Sequence, residues 1–484
     1  MNAKLKPGGN QPQRSGAAAI RHFHATQSKP WLIPVGLACA GLFVGTRYVL
    51  RAQERVRRRR AGLPGEGDED EEGNNDASSM RKMQQVLGVD VGSANLRIAA
   101  ASLLDAAHAA RVIESADGLR ATPAAVAVDN DNVSVGAVAK ALQGRKPGYT
   151  ATATRLLLGG SARESKNELQ ELIEKLPYTV HQHGQTLELE LDGKTYSPEW
   201  AAEVMLDYLH TTAAASLGED PIENFPAVIA VPAGTDEQDR AAYEQVANSA
   251  GFTVFAAIDE PVAALHAVEK CAEQELHTTE TLSSRGPIAV VDIGGFVSTV
   301  SLLQKDHRGG GFELMHTLST QTVSGHQVNE LLFRSVVDQF QEEHAIDLSV
   351  DYMASYRILE AVEVAKIELS SRVSTDINLP FITADQTGAK HLVHKFTSFD
   401  LACVQEGPAQ EAITLCNLVL SNAGISKEDI SALVLVGGGA RSEFMRQQLE
   451  SFFKRPAFET KSFRPEEAVV LGAAEYGRKL VQEY

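Results

Sequence analysis

Cysteine is scarce in this 484-residue chain: Cys39, Cys271, Cys403 and Cys416 stand far apart, with no CxxC pair and no His/Cys cluster at metal-ligand spacing. That excludes a disulfide framework and a zinc site, and leaves the thiols as packing residues in a reducing compartment. Acidic residues are missing before Glu54. Residues 1–60 hold twelve Lys or Arg against that single Glu, a net of +11, so a chain total of −18 puts about −29 on the remainder. A body that acidic repels nucleic acid and excludes a DNA- or RNA-binding protein, while single nucleotides remain eligible ligands. Apolar material is plentiful, at 43% of residues, and suffices for a large core.

The basic end divides into three parts. Residues 1–30 mix Lys4, Lys6, Arg14, Arg21 and Lys29 with Ala, Ser, Gln and Gly, as organelle transit segments do, although a merely basic tail has the same composition. The stretch Arg21-His22-Phe23-His24-Ala25-Thr26 is similar to a mitochondrial presequence processing site. Residues 31–50 are apolar and uncharged up to Arg47. As a helix they span roughly 30 Å of hydrocarbon, with Trp31 and Tyr48 at the interfaces and Arg47 snorkelling, so one transmembrane helix is expected. A secretory signal fits less well, because bulky Arg-rich sequence follows where a small-residue cleavage site belongs. Residues 51–85 open with Arg51, Arg55 and Arg57 to Arg60 and continue as an acidic, Gly- and Ser-rich tether. The excess of positive charge after the span places the body in the mitochondrial matrix or, on another organelle membrane, in the cytosol.

The body carries a repeated pattern. Val86-Leu87-Gly88-Val89-Asp90 reads as a buried strand ending at a carboxylate and a glycine turn, and Ile288-Ala289-Val290-Val291-Asp292-Ile293-Gly294-Gly295 repeats it two hundred residues later. Each is followed by a second strand-like segment, so a hairpin with an Asp-x-Gly turn occurs once in each half. Glycine at such a turn lets backbone N–H groups approach phosphate oxygens, and the neighbouring Asp suits a hydrated Mg²⁺.

Further segments follow in order: Ala116 to Pro123, Val231-Pro232-Ala233 with Arg240, Ile258 to Ala264, Ala365 to Ser371, Leu435 to Arg441 and Pro465 to Val469. Together with the two hairpins they make residues 86–480 resemble the ATPase domain of the 70-kilodalton heat-shock chaperones. The resemblance implies an α/β, two-lobed, actin-like (ribonuclease H-like) ATPase fold, with lobe I at 86–286 and lobe II plus a closing helix at 287–484. It also implies ATP or ADP with Mg²⁺ as ligands. Asp90 and Asp292 would hold the Mg²⁺ water shell, while Gly92, Ser93, Asn95, Gly294 and Gly295 would cradle phosphates. Arg155, Glu260 and Asp292 would be the catalytic set. Glu363, Lys366 and Ser370 would embrace adenosine from one side, with Gly325, Gly438, Gly439, Arg441 and Glu466 closing the other.

The resemblance breaks where hydrolysis is done. Arg155 replaces the phosphate-side lysine, Ala94 a hydroxyl residue, and Phe296-Val297-Ser298-Thr299 the family's Gly-Thr-Phe-Asp. Arginine keeps the charge but is larger and fork-shaped, and the second turn loses a hydroxyl and a carboxylate while gaining a bulky ring. His326 stands for an acidic ribose neighbour, and Ala256 for a basic residue that answers J-domain co-chaperones. The sequence reaches Tyr484 with no counterpart of the peptide-binding domain, so peptide clamping in the family's manner is not expected. Three readings follow: a nucleotide-gated binding protein with weak or no hydrolysis, a slow ATPase working with a separate substrate-binding partner, and a structural scaffold whose cleft is collapsed around Phe296. In each the protein partner is unknown, with co-chaperones and import machinery as candidates.

Overall fold

The computed structural model describes residues 84–483 except 159–168, 171–172, 175, 185, 219–223, 278–281, 283–285 and 307–310. The expected transit segment, the transmembrane helix and nearly all of the tether therefore lie outside the described residues. Among those described, no helix is long and apolar enough to cross a membrane.

Strands β1 (Gln85–Val91), β2 (Asn95–Ser102), β3 (Phe225–Val231) and β4 (Phe252–Asp259) form the main sheet of lobe I, in the order β4-β3-β1-β2, with Arg111–Val112 and Thr122–Pro123 pairing on β2. β1 is apolar nearly throughout because it is covered on both faces, and it runs parallel to β3. Lobe II repeats the plan with β5 (Ile288–Ile293), β6 (Ser298–Lys305), β7 (Phe312–Thr320) and β8 (Ala432–Val436), in the order β7-β6-β5-β8, where β5 runs parallel to β8. In both lobes the hairpin register sets an aspartate near the turn: Asp90 pairs with Arg97 in β1–β2, and Asp292 with Thr299 in β5–β6.

In chain order the helices are α1 (Ala137–Gln143), α2 (Pro198–Leu217), α3 (Glu237–Ser249), α4 (Glu260–Glu275), α5 (Gly325–His344), α6 (Tyr352–Glu368), α7 (Ser398–Ala423), α8 (Glu443–Phe453) and α9 (Ala468–Glu483). Their ends follow local chemistry. The Ser197 hydroxyl accepts from the Trp200 N–H ahead of Pro198 in α2, which stops at Gly218 in the left-handed conformation. Thr397 and Asp400 cap α7 reciprocally. α1 lies on a small sheet of Ala125–Asp129, Asn132–Val135 and Thr150–Thr152, whose last strand leads into the turn that carries Arg155. In lobe II, α5 and α6 share a separate core with the hairpin Ser374–Asp385/Gly388–Thr397.

The closing helix α9 follows the last elements of lobe II but packs on lobe I, against α4, β1 and β2. Val470, Ala473 and Ala474 are fully buried there. The approach requires glycine: a Cβ on Gly472 would collide with the Ala263 carbonyl of α4, and one on Gly88 with the Val470 carbonyl of α9. Burying a side chain such as Val470 contributes about 1.5–3 kcal/mol, so α9 ties the end of the chain to its first strand.

Candidate functional site

One cleft of about 900 Å³ lies between the lobes, and all the site residues expected from the sequence line it. Cavities that hold small molecules are about 300–1,000 Å³, so the space suits a nucleotide.

At the inner end, Asp90 near the close of β1 and Asp292 near the close of β5 face Glu260, the first residue of α4. Burial, followed by repulsion from Glu260, pushes Asp90 up to about 6 even though Arg97 and Arg155 oppose the rise. The same causes, with Asp90 itself as a further neighbour, push Asp292 up to about 7. The Arg155 guanidinium sits 2.5 Å from the Glu260 carboxylate, and Arg97 lies 4.0 Å from Asp90. Burial disfavours the charge on Arg155, yet Glu260 and Asp90 hold its pKa above the ordinary value. Arg155 reaches this position from a short 3₁₀ turn, Thr154–Leu157, which is preceded by Ala153 in the left-handed region at φ 55°. A non-glycine residue there is strained by about 1 kcal/mol or more, a cost that surrounding structure must over-determine.

The two turns meet at the middle of the cleft. The Phe296 N–H donates to the Ser93 hydroxyl at 3.3 Å, and a Cβ on Gly295 would collide with the Ala94 side chain. Within the turns, Gly92 faces the Asn95 carbonyl and Gly294 the Val297 carbonyl too closely for any side chain. The Phe296 ring stacks on His326, with centroids 4.7 Å apart and planes 22° from parallel. The second turn is also tied to α5: Gly325 N–H donates to the Gly294 carbonyl at 2.9 Å, and His326 N–H to the Gly295 carbonyl at 2.8 Å. Those two donors of the α5 N-terminus are thus spent inside the protein.

The outer residues are engaged as well. Lys366 donates to the Gly325 carbonyl at 2.7 Å, and burial lowers its pKa to about 8 despite Glu363. Glu363 pairs across the cleft with Lys140 of α1 at 2.6 Å; burial alone would raise its pKa, but Lys140 holds it below the ordinary value. The Ser370 hydroxyl donates to the Ile367 carbonyl, Arg441 pairs with Glu466 at 2.6 Å, and Gly438 faces open space. Gly439 packs on Ile293.

Sequence reasoning did not single out Arg97, Lys140 or Gly437. Arg97 follows from the hairpin register, which sets it opposite Asp90. Gly437, at φ 81°, brings its backbone against the Asp292 carboxylate, where a Cβ would collide; the run of three glycines signals this without saying which one does it. Lys140 had no local signal, since its partner lies on the other lobe.

Among the described residues no group of three or more His, Cys, Asp or Glu is placed to hold a metal ion directly. The paired buried aspartates nevertheless fit a divalent cation held through water, because they carry negative charge that burial and mutual repulsion disfavour. A family model described as Hsp70 protein matches residues 86–482.

Proposed function

The chain belongs to the Hsp70 family, and we propose that it is a chaperone-type nucleotide-binding protein that holds ATP or ADP with Mg²⁺ between its lobes and hydrolyses ATP slowly or not at all. The observation that carries this reading is the meeting of Asp90, Asp292 and Glu260 in one cleft with two glycine turns, beside an Arg155 already committed to Glu260. Mg²⁺, when bound, supplies neutralisation of phosphate charge; Asp90 and Asp292 would hold its water shell. Gly92, Gly294 and Gly295 keep side chains out of the turns so that backbone can approach phosphate. Gly438 and Arg441 border the open part of the cleft, where adenosine would lie opposite Lys366 and Ser370.

Slow chemistry follows from the inner pair. A carboxylate that accepts a charge-assisted bond from Arg155 is a weaker acceptor for a water proton, and an arginine neutralised by that carboxylate lends less charge to a phosphoryl group. Thr299 stands opposite Asp292 in the register, where an acid is expected from the family pattern. The test is calorimetric titration with MgADP and MgATP, together with single-turnover hydrolysis. Binding with turnover far below one per minute supports the reading; rapid turnover removes its second half, and absence of binding its first.

We further propose that residues 31–50 tether the body to a mitochondrial membrane with the body in the matrix, on the strength of the uncharged run and the arginines that follow it. Such a tether would give a protein partner, either a co-chaperone or import machinery, a nucleotide-dependent surface fixed at the membrane. Resistance of the full chain to carbonate extraction, with the body protected from protease in intact mitochondria, is the expected result. Release of the chain by carbonate would remove this part.

A further inference from the structure

The cleft has an ordered sequence of contacts from rim to interior. Lys366 bonds Gly325; Gly325 and His326 bond the second turn; Phe296 of that turn stacks on His326 and bonds Ser93; beyond lie Asp90, Asp292 and the Arg155–Glu260 pair. Phe296 therefore lines the cleft where the two turns meet, joined to the rim through His326 and to the first turn through Ser93. Its side chain, with that of Val297, leaves lobe II and packs against the apolar core of lobe I. Its N–H, which a phosphate oxygen would otherwise accept from, is directed at the Ser93 hydroxyl.

Charge points the same way as space. The interior holds three carboxylates, Asp90, Asp292 and Glu260, against two guanidiniums, Arg155 and Arg97. Arg155 is already paired with Glu260, so it has less charge to offer a terminal phosphoryl group that reaches inward.

We propose that Phe296 makes this a site for nucleoside diphosphates, its ring occupying the space between the turns that a third phosphoryl group would need. This rests on the nucleotide-binding reading above and sharpens it: the protein would distinguish the two nucleotides by rejecting one, without having to hydrolyse it. Phe296 is then a specificity-determining residue, one whose bulk sets which phosphate chain fits.

Titration of the full chain in detergent with MgADP, MgATP and a non-hydrolysable MgATP analogue tests this. Wild type is expected to bind MgADP at least about tenfold more tightly than either triphosphate, a difference of ~1.4 kcal/mol. Phe296→Gly is expected to narrow that ratio to within about threefold, by tightening triphosphate binding, with Phe296→Ala intermediate. A melting curve taken with each variant shows whether it is folded, and the wild-type ratio stands without either variant. Equal affinities in wild type overturn the inference and leave the nucleotide-binding reading intact. A ratio that both folded variants preserve overturns the assignment to Phe296. No binding of any nucleotide, with the melting temperature unmoved, overturns the broader reading and this inference with it.

Discussion

The two hairpins at the centre of the cleft share a backbone plan and differ in chemistry. Each puts an aspartate one residue before the end of its first strand, but the residue across the ladder is Arg97 in lobe I and Thr299 in lobe II. Burial and Glu260 raise both acids; Arg97 is the first opposing charge at Asp90, while Asp292 faces Asp90 as a further repulsive neighbour, and the outcomes are about 6 and about 7. The turns diverge in the same sense: lobe I keeps the small residues Ser93 and Ala94, and lobe II has Phe296. The backbone plan and its aspartate are the same in both copies. The side chain across the ladder is charged only in the first.

The strongest way to break this contrast is to remove the cation each acid depends on. Arg155→Ala would leave Glu260 buried and unpaired, which typically costs about 3–5 kcal/mol. Arg97→Ala, whose buried partner is 4.0 Å away and can take up a proton instead, should cost less. Urea melts of the two variants measure the difference, and equal losses would show that the 2.5 Å pair is no more important than the longer one. A smaller effect is expected from making the second turn like the family's. Phe296→Gly with Val297→Thr and Thr299→Asp should raise single-turnover hydrolysis by about tenfold to a hundredfold, the range for restoring charge stabilisation at a reacting phosphate. An unchanged rate would show that these three positions do not limit hydrolysis.

Much of this frame was legible in the sequence because it is local. The fully apolar runs of β1 and β5, each closed by Asp and Gly, announce buried strands and their turns within a few residues. Lys366, Ser370 and Arg441 could be assigned to the cleft by resemblance, but their actual bonds, to Gly325, Ile367 and Glu466, depend on how helix ends and loops pack. Contacts between lobes were the least legible. Nothing near Lys140 indicates Glu363, nothing in the second turn indicates that Phe296 lies on His326, and α9 gives no local sign that it will pack on the first lobe. Hydrophobic period determines which face of an element is buried, but not what buries it.

The smallest expected effect separates the two aspartates by pH. An acid whose folded-state pKa exceeds its unfolded value holds its proton more tightly when folded, so its contribution to stability is greatest at low pH and is lost as pH climbs through the folded pKa. For the ligand-free protein that window runs from the ordinary value of 3.8 up to about 7 for Asp292 and about 6 for Asp90. Glu260 and Asp90 face Asp292 with like charge, and Arg155 and Arg97 with opposite charge. Asp292→Asn removes a buried charge at pH 8 and should raise the melting temperature there by about 2–4 °C, with no gain near pH 4 where the wild-type acid is already protonated. Asp90→Asn should gain less, because it also strands Arg97 without its acid. Saturating Mg²⁺ nucleotide should erase the difference at pH 8, since a bound cation takes over the neutralisation that the proton provides. If instead Asp90→Asn gives the larger gain, the lobe II hairpin is not the one that carries the uncompensated charge.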